Sequence, residues 1–243
     1  MPTFTHSHRR HHRSLLAAAE KRLLIALAHR LPPGIHSDHL TGLALASMFV
    51  VGAGFAVMSV TPWGALVVTT GLVSNWFGDS LDGTVARVRG HERPRFGYYV
   101  DHAIDLAGTV VLFAGLACSG LMTPLMAVAV LAGYLLVSAE SYLATHAAGV
   151  FRMSFAGVGP TELRMLLVAG ALYTAWRPVV DVPWAGALRL FDVGGALALA
   201  GFAVVFVVSA SRQTRELYRL EPRPARRPVQ AVSPSSPASR IPA

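Results

Sequence analysis

The chain has 243 residues, 53% of them hydrophobic and 14% charged, with a mean hydropathy of +0.48 and a formal net charge of +8 at pH 7. A soluble domain carries about 25% charged residues, so this composition excludes an ordinary soluble domain and points to a chain whose solvent is largely hydrocarbon. Length argues for a single domain, and the basic balance reads as contact with anionic lipid headgroups, or as a pure topology signal, rather than as nucleic-acid binding.

In chain order, residues 1–36 form a basic N-terminal segment. Its His/Arg-rich opening lacks a small-residue cleavage site, and Leu15–Leu31 reads as an amphipathic helix lying in the cytoplasmic interface. Two long stretches, 39–78 and 106–139, contain no Asp, Glu, Lys or Arg, and each is broken once, at Thr61-Pro62-Trp63-Gly64 and at Ser119–Pro124. Further apolar runs follow at 165–176 and 193–211. Since a span needs about 20 mainly apolar residues, the pattern predicts an all-α integral membrane fold over 37–212. Its six transmembrane helices fall near 39–60, 63–87, 97–120, 123–146, 160–178 and 189–211. The remainder, 213–243, is basic and Pro/Ser-rich, and from Glu221 it lacks apolar periodicity, so a disordered tail is expected. The lone Cys118 lies inside a span and has no partner for an internal disulfide. With six spans, every one of the 21 Lys and Arg residues except Arg177 and Arg189 falls on the side of the N-terminus. The positive-inside rule then places both termini in the cytoplasm.

One stretch departs from the lipid logic. Asp79, Asp82, Asp101 and Asp105 lie inside or at the ends of spans 2 and 3, where ionisable groups are costly and mark function. Asp79, Asp82, Gly83, Ala86 and Arg87 fall at i, i+3, i+4, i+7 and i+8, one stripe of a helix; Gly97, Asp101 and Asp105 form a stripe on the next. The intervening loop, with Pro94, turns the chain back so that the stripes face each other. Four facing carboxylates need positive charge between them. Oxygen-only ligands select hard cations, Mg²⁺ or Mn²⁺, and four aspartates suffice for two ions. Gly83 and Gly97 leave room for a ligand, and arginines at the rim suit a phosphate-rich substrate.

The run Asp79-x2-Asp82-Gly83-x2-Ala86-Arg87-x9-Gly97-x3-Asp101-x3-Asp105 resembles the signature of the CDP-alcohol phosphotransferases, with every fixed position present. The resemblance extends to the six-span plan and leaves out the first 30 residues and the tail from 221. It implies transfer of a phosphoalcohol group, phosphatidyl among them, from a CDP-linked donor to an acceptor hydroxyl with release of CMP, in phospholipid biosynthesis. It also implies a homodimer. By the same resemblance Asp79, Asp82 and Asp101 would ligate metal, Asp105 would lie near the metals as general base, and Gly83, Ala86, Arg87 and Gly97 would line the nucleotide pocket. Either partner could be the lipid: CDP-diacylglycerol as donor, or a soluble CDP-alcohol with a lipid acceptor.

Four accessory residues are weaker candidates. Thr41 ends Ser37-Asp38-His39-Leu40-Thr41, a partial match to the turn that opens span 1 in relatives, and a helix cap by Ser37 or Asp38 explains the same residues. His102 and the Gly159-Pro160-Thr161-Glu162 run resemble features of the choline/ethanolamine branch, although Pro, Thr and Glu also make ordinary helix starts. Arg152, like Arg164, suits an acceptor phosphate or a headgroup anchor. Two rival functions remain. An intramembrane Mg-dependent prenyltransferase also uses paired Asp motifs, which Asn75-x3-Asp79 and Asp101-x3-Asp105 faintly resemble, but lacks the Gly-x2-Ala-Arg element. A divalent cation transporter would distribute acids across the membrane, whereas these crowd near one face.

Overall fold

The computed structural model describes residues 17–148, 160–182 and 186–223. Helix α1 (Ala17–Arg30) precedes α2 (Ser37–Val57), α3 (Gly64–Val88), α4 (Pro94–Cys118), α5 (Pro124–Ala148) and α6 (Pro160–Trp176). A hairpin of β1 (Val179–Val182) and β2 (Gly186–Arg189) leads into α7 (Leu190–Leu220). Helices α4, α5 and α6 each begin at a proline. The ring presets a helical φ there, and the missing N–H is one the first turn leaves unpaired anyway.

The described part of the chain is all-α apart from that hairpin, which fills the gap between the last two expected spans. Its strands are antiparallel, with Val179 opposite Arg189 and Val182 opposite Gly186. Three β-branched valines among four residues favour the extended form. Within the described residues the first helix covers Ala17–Arg30 of the expected Leu15–Leu31. The last runs to Leu220, past the expected end at 211 and into the expected tail, because Arg212, Gln213, Arg215 and Glu216 are good helix formers once the chain turns polar. At the start of α2 the N-cap is His36, neither Ser37 nor Asp38, and its N–H donates to His39 Nδ1 at 3.1 Å. Asp38 is instead paired with Arg93.

Among the described residues four helices, α2, α4, α5 and α7, are long and apolar enough to cross a membrane. Helix α3 matches α4 in length at 25 residues, but Asn75, Asp79, Asp82 and Arg87 lower its hydropathy; α6 has 17 residues. Large apolar side chains stand on the outer faces, among them Phe49, Leu125, Leu143 and Val204. That pattern suits a lipid solvent.

Helix α2 packs against α3 and α4, α3 also holds α1 and α6, and α5 lies between α4 and α7. The main apolar core joins Val51 and Phe55 of α2, Val68 and Leu72 of α3, Leu112 and Leu116 of α4 and Val130 of α5, with the Phe191 ring edge-on to Phe55. A second apolar cluster, Leu24, Ala28, Leu40, Leu81 and Val85, seats α1 and the start of α2 against the C-terminal half of α3. Two features set the geometry there. At Gly78 a Cβ would lie 2.5 Å from Leu40 O and 2.8 Å from Ala44 N, so only glycine lets α2 and α3 approach this closely beside Asp79. At the end of α3, Gly90 takes φ +66°, Gly90 N donates to Arg87 O and His91 N donates to Ala86 O at 2.9 Å. This is a Schellman stop, which glycine enters without Cβ strain. It turns the chain into α4.

Candidate active site

Helix α3 carries Asn75, Asp79 and Asp82 at i, i+4 and i+7, while Asp101 and Asp105 share a face of α4 one turn apart. Asp79, Asp101 and Asp105 each bring a carboxylate oxygen within 4.8 Å of the others, and all three are partly buried. Such a set of oxygens fits a hard divalent cation. The two stripes expected to face each other do so through these three residues.

Asp82 is held separately. Its Oδ2 accepts from Thr41 Oγ1 at 2.7 Å, with Ser37 O also 3.0 Å from that hydroxyl, and its Oδ1 accepts from the backbone N–H of Gly83. Thr41, read from sequence as an accessory candidate, thus fixes the rotamer of one motif aspartate from the neighbouring helix. His102 is buried, with Nδ1 3.4 Å from Asp101 Oδ2 and its ring packed between Tyr98 and Tyr142 at centroid distances of 4.3 and 5.2 Å.

The remaining motif residues lie at the end of α3 and the start of α4. A Cβ on Gly83 would meet Arg87 Nη1 at 3.2 Å, and Arg87 Nη2 donates to Thr84 Oγ1 at 3.1 Å, so the guanidinium lies over the glycine. Ala86 borders an open cavity of about 360 Å³, together with Asp38, Arg89, His91, Glu92 and Arg93. Gly97 faces open space. Glu162 is half-buried in the first turn of α6. Arg152 lies outside the described residues.

Sequence reasoning gave little weight to three polar side chains that the fold brings in. Arg164, one turn into α6, donates from Nη2 to Asp79 Oδ2 at 2.5 Å and from Nε to Asn75 Oδ1 at 2.8 Å. Asn75 in turn donates from Nδ2 to Ala44 O of α2 at 3.0 Å. Glu20 of α1 accepts from Trp76 Nε1 at 2.8 Å and from Thr161 Oγ1 at 2.9 Å, tying α1 to α3 and α6. A usable signal existed for Arg164, since an ionised group inside a span seeks a counter-charge. Its spacing from the motif gave no hint of which one.

A profile described as CDP-alcohol phosphatidyltransferase matches residues 37–209. No curated protein sequence matches the chain. Among solved structures the chain resembles Mycobacterium tuberculosis phosphatidylinositol phosphate synthase (PgsA1), crystallised with CDP-DAG bound. The TM-score is 0.54 at 20% identity, covering 81% of this chain and 94% of that one. At that identity the likeness is one of fold.

Proposed function

Because the chain belongs to the CDP-alcohol phosphatidyltransferase family, and is thus a phosphotransferase of phospholipid synthesis using a CDP-linked donor, we propose that its donor is CDP-diacylglycerol and that it passes the phosphatidyl group to an alcohol. The observation that carries this reading is the convergence of Asp79, Asp101 and Asp105 within 4.8 Å at the family's motif. The lipid donor is supported by the fold shared with a synthase crystallised with CDP-DAG.

In this reading Asp79, Asp82, Asp101 and Asp105 hold Mg²⁺ or Mn²⁺, as two ions. Bound there, the metal supplies positive charge against the negative charge that develops on the diphosphate. Gly83, Ala86, Arg87 and Gly97 receive the nucleotide: the glycines admit it close to backbone, and the Arg87 guanidinium meets phosphate. Asp105 takes the proton of the acceptor hydroxyl. The freed oxygen attacks the β-phosphorus, the bond from that phosphorus to the bridging oxygen breaks, and CMP leaves with the bonding pair. Thr41 keeps Asp82 aligned, and His102 orients Asp101.

Helices α3 and α6 complete six spans in this account, their polar faces turned inward. The distribution of Lys and Arg supports a cytoplasmic site with both termini on that side, and α1 lies in the interface. The functional unit is a homodimer.

The test is direct. Purified protein with Mn²⁺ is given CDP-diacylglycerol or a soluble CDP-alcohol, acceptors are screened, and CMP is measured. CMP release from CDP-diacylglycerol with a water-soluble alcohol supports the reading. Release only from soluble CDP-alcohols reverses the donor assignment, and pyrophosphate from a prenyl diphosphate with no CMP from any donor refutes it.

A further inference from the structure

Arg164 holds a place that the proposed chemistry leaves unexplained. It sits on α6, outside the motif, and its side chain is 15% exposed against 19% for its partner Asp79. The guanidinium is engaged along one edge: Nη2 lies on Asp79 Oδ2 and Nε on Asn75 Oδ1. Asn75 is 5% exposed, and its amide nitrogen is anchored on Ala44 O, in the stretch of α2 that meets Gly78. One line of hydrogen bonds therefore runs from the α2 backbone through Asn75 and Arg164 to a carboxylate of the three-aspartate cluster. Three helices converge on it.

We propose that Arg164 is a positioning residue for the metal site: locked by Asn75, it occupies Oδ2 of Asp79 and presents Oδ1 to the ion. This rests on the metal-site reading given above. A carboxylate is free to rotate about its last torsion and to bind an ion through one oxygen or two. With Oδ2 held in a charge-assisted bond, both choices are made before a ligand arrives. The planar fork matters because one rigid group must reach two acceptors at once, which a lysine ammonium on a flexible stem does not reproduce. Charge alone acts in the opposite direction, since a cation beside Asp79 repels a dication. The two effects therefore have opposite signs, and Asn75, which is uncharged, separates them.

The experiment measures Mn²⁺ binding to the purified full-length protein by electron paramagnetic resonance titration, with thermal unfolding and acceptor KM read in parallel. The variants are Asn75→Leu, Arg164→Lys and the double variant, and whichever single variant remains folded carries the test alone. Loss of a hydrogen bond that orients a metal ligand weakens metal affinity by about 10- to 100-fold. Each single variant is expected to fall in that range, and the double variant to lose little more, because both changes cut the same line. Unchanged Mn²⁺ affinity with only a lowered unfolding temperature would make Arg164 a packing residue and overturn the proposal. So would unchanged Mn²⁺ affinity with a raised acceptor KM, which would assign Arg164 to the acceptor. Absence of specific Mn²⁺ binding in the wild-type protein would instead remove the metal-site reading itself.

Discussion

Replacing Gly78 by alanine tests whether the close contact of α2 with α3 sustains both the fold and the site. The added Cβ would lie 2.5 Å from Leu40 O, 2.8 Å from Ala44 N and 3.1 Å from Ala44 Cα, all backbone atoms that no rotamer change can move. Overpacking of this kind costs about 1–3 kcal/mol, and three backbone clashes argue for the upper end. Alanine restores about 1 kcal/mol of helix propensity over glycine, so the net loss is about 2 kcal/mol. For a chain of this size each kcal/mol moves Tm by about 2–4 °C, giving a fall of about 4–8 °C. Gly42→Ala, on the same helix pair with open space around it, keeps the propensity gain without the clash and raises Tm by about 2–4 °C. Both variants are followed by tryptophan fluorescence on heating in detergent, with CMP release measured alongside. Activity is expected to fall in Gly78→Ala, because separating the helices strains the Asn75–Ala44 and Thr41–Asp82 hydrogen bonds. Equal Tm and activity in the two variants would refute the close-approach reasoning.

Other consequences follow from single contacts. Thr41→Val removes the donor to Asp82 Oδ2 and should cost about 1 kcal/mol, about a fivefold loss in kcat/KM; a wild-type value would detach Thr41 from catalysis. Arg89 clamps Leu31 O, Ile35 O, Pro32 O and Pro33 O at the end of α1. Arg89→Ala should therefore open that turn to limited proteolysis, and an unchanged digestion pattern would count against the clamp. Cys118, exposed at the last residue of α4, should react with a membrane-impermeant thiol reagent from outside intact cells. Labelling only in inverted vesicles would reverse the orientation.

Much of the site was legible because a membrane makes charge conspicuous. Asp79, Asp82, Asp101 and Asp105 stand out among apolar residues, and helical spacing alone sorts them into two stripes. Helix positions were legible for the same reason, although Pro94, assigned from sequence to the turn, is the first residue of α4. What the sequence concealed depends on packing between elements distant in the chain. Nothing in the spacing links Arg164 to Asp79, 85 positions away, or Glu20 to Trp76, 56 positions away. The separate holding of Asp82 is hidden too, since its stripe matches that of Asp79 and its partner Thr41 lies on another helix. The hairpin escaped because four-residue strands carry too short a pattern to read, and the long α7 because arginine and glutamate continue a helix as readily as they end a span.

The most direct test of the account is the metal-dependent release of CMP by wild-type protein and by Asp105→Asn, each assayed with Mn²⁺ binding measured on the same sample. The account predicts CMP release that chelation abolishes and Mn²⁺ restores in the wild type. In Asp105→Asn it predicts no turnover, with metal binding weakened less than in Asp79→Asn. Full CMP release by Asp105→Asn, or release indifferent to chelation, would contradict it.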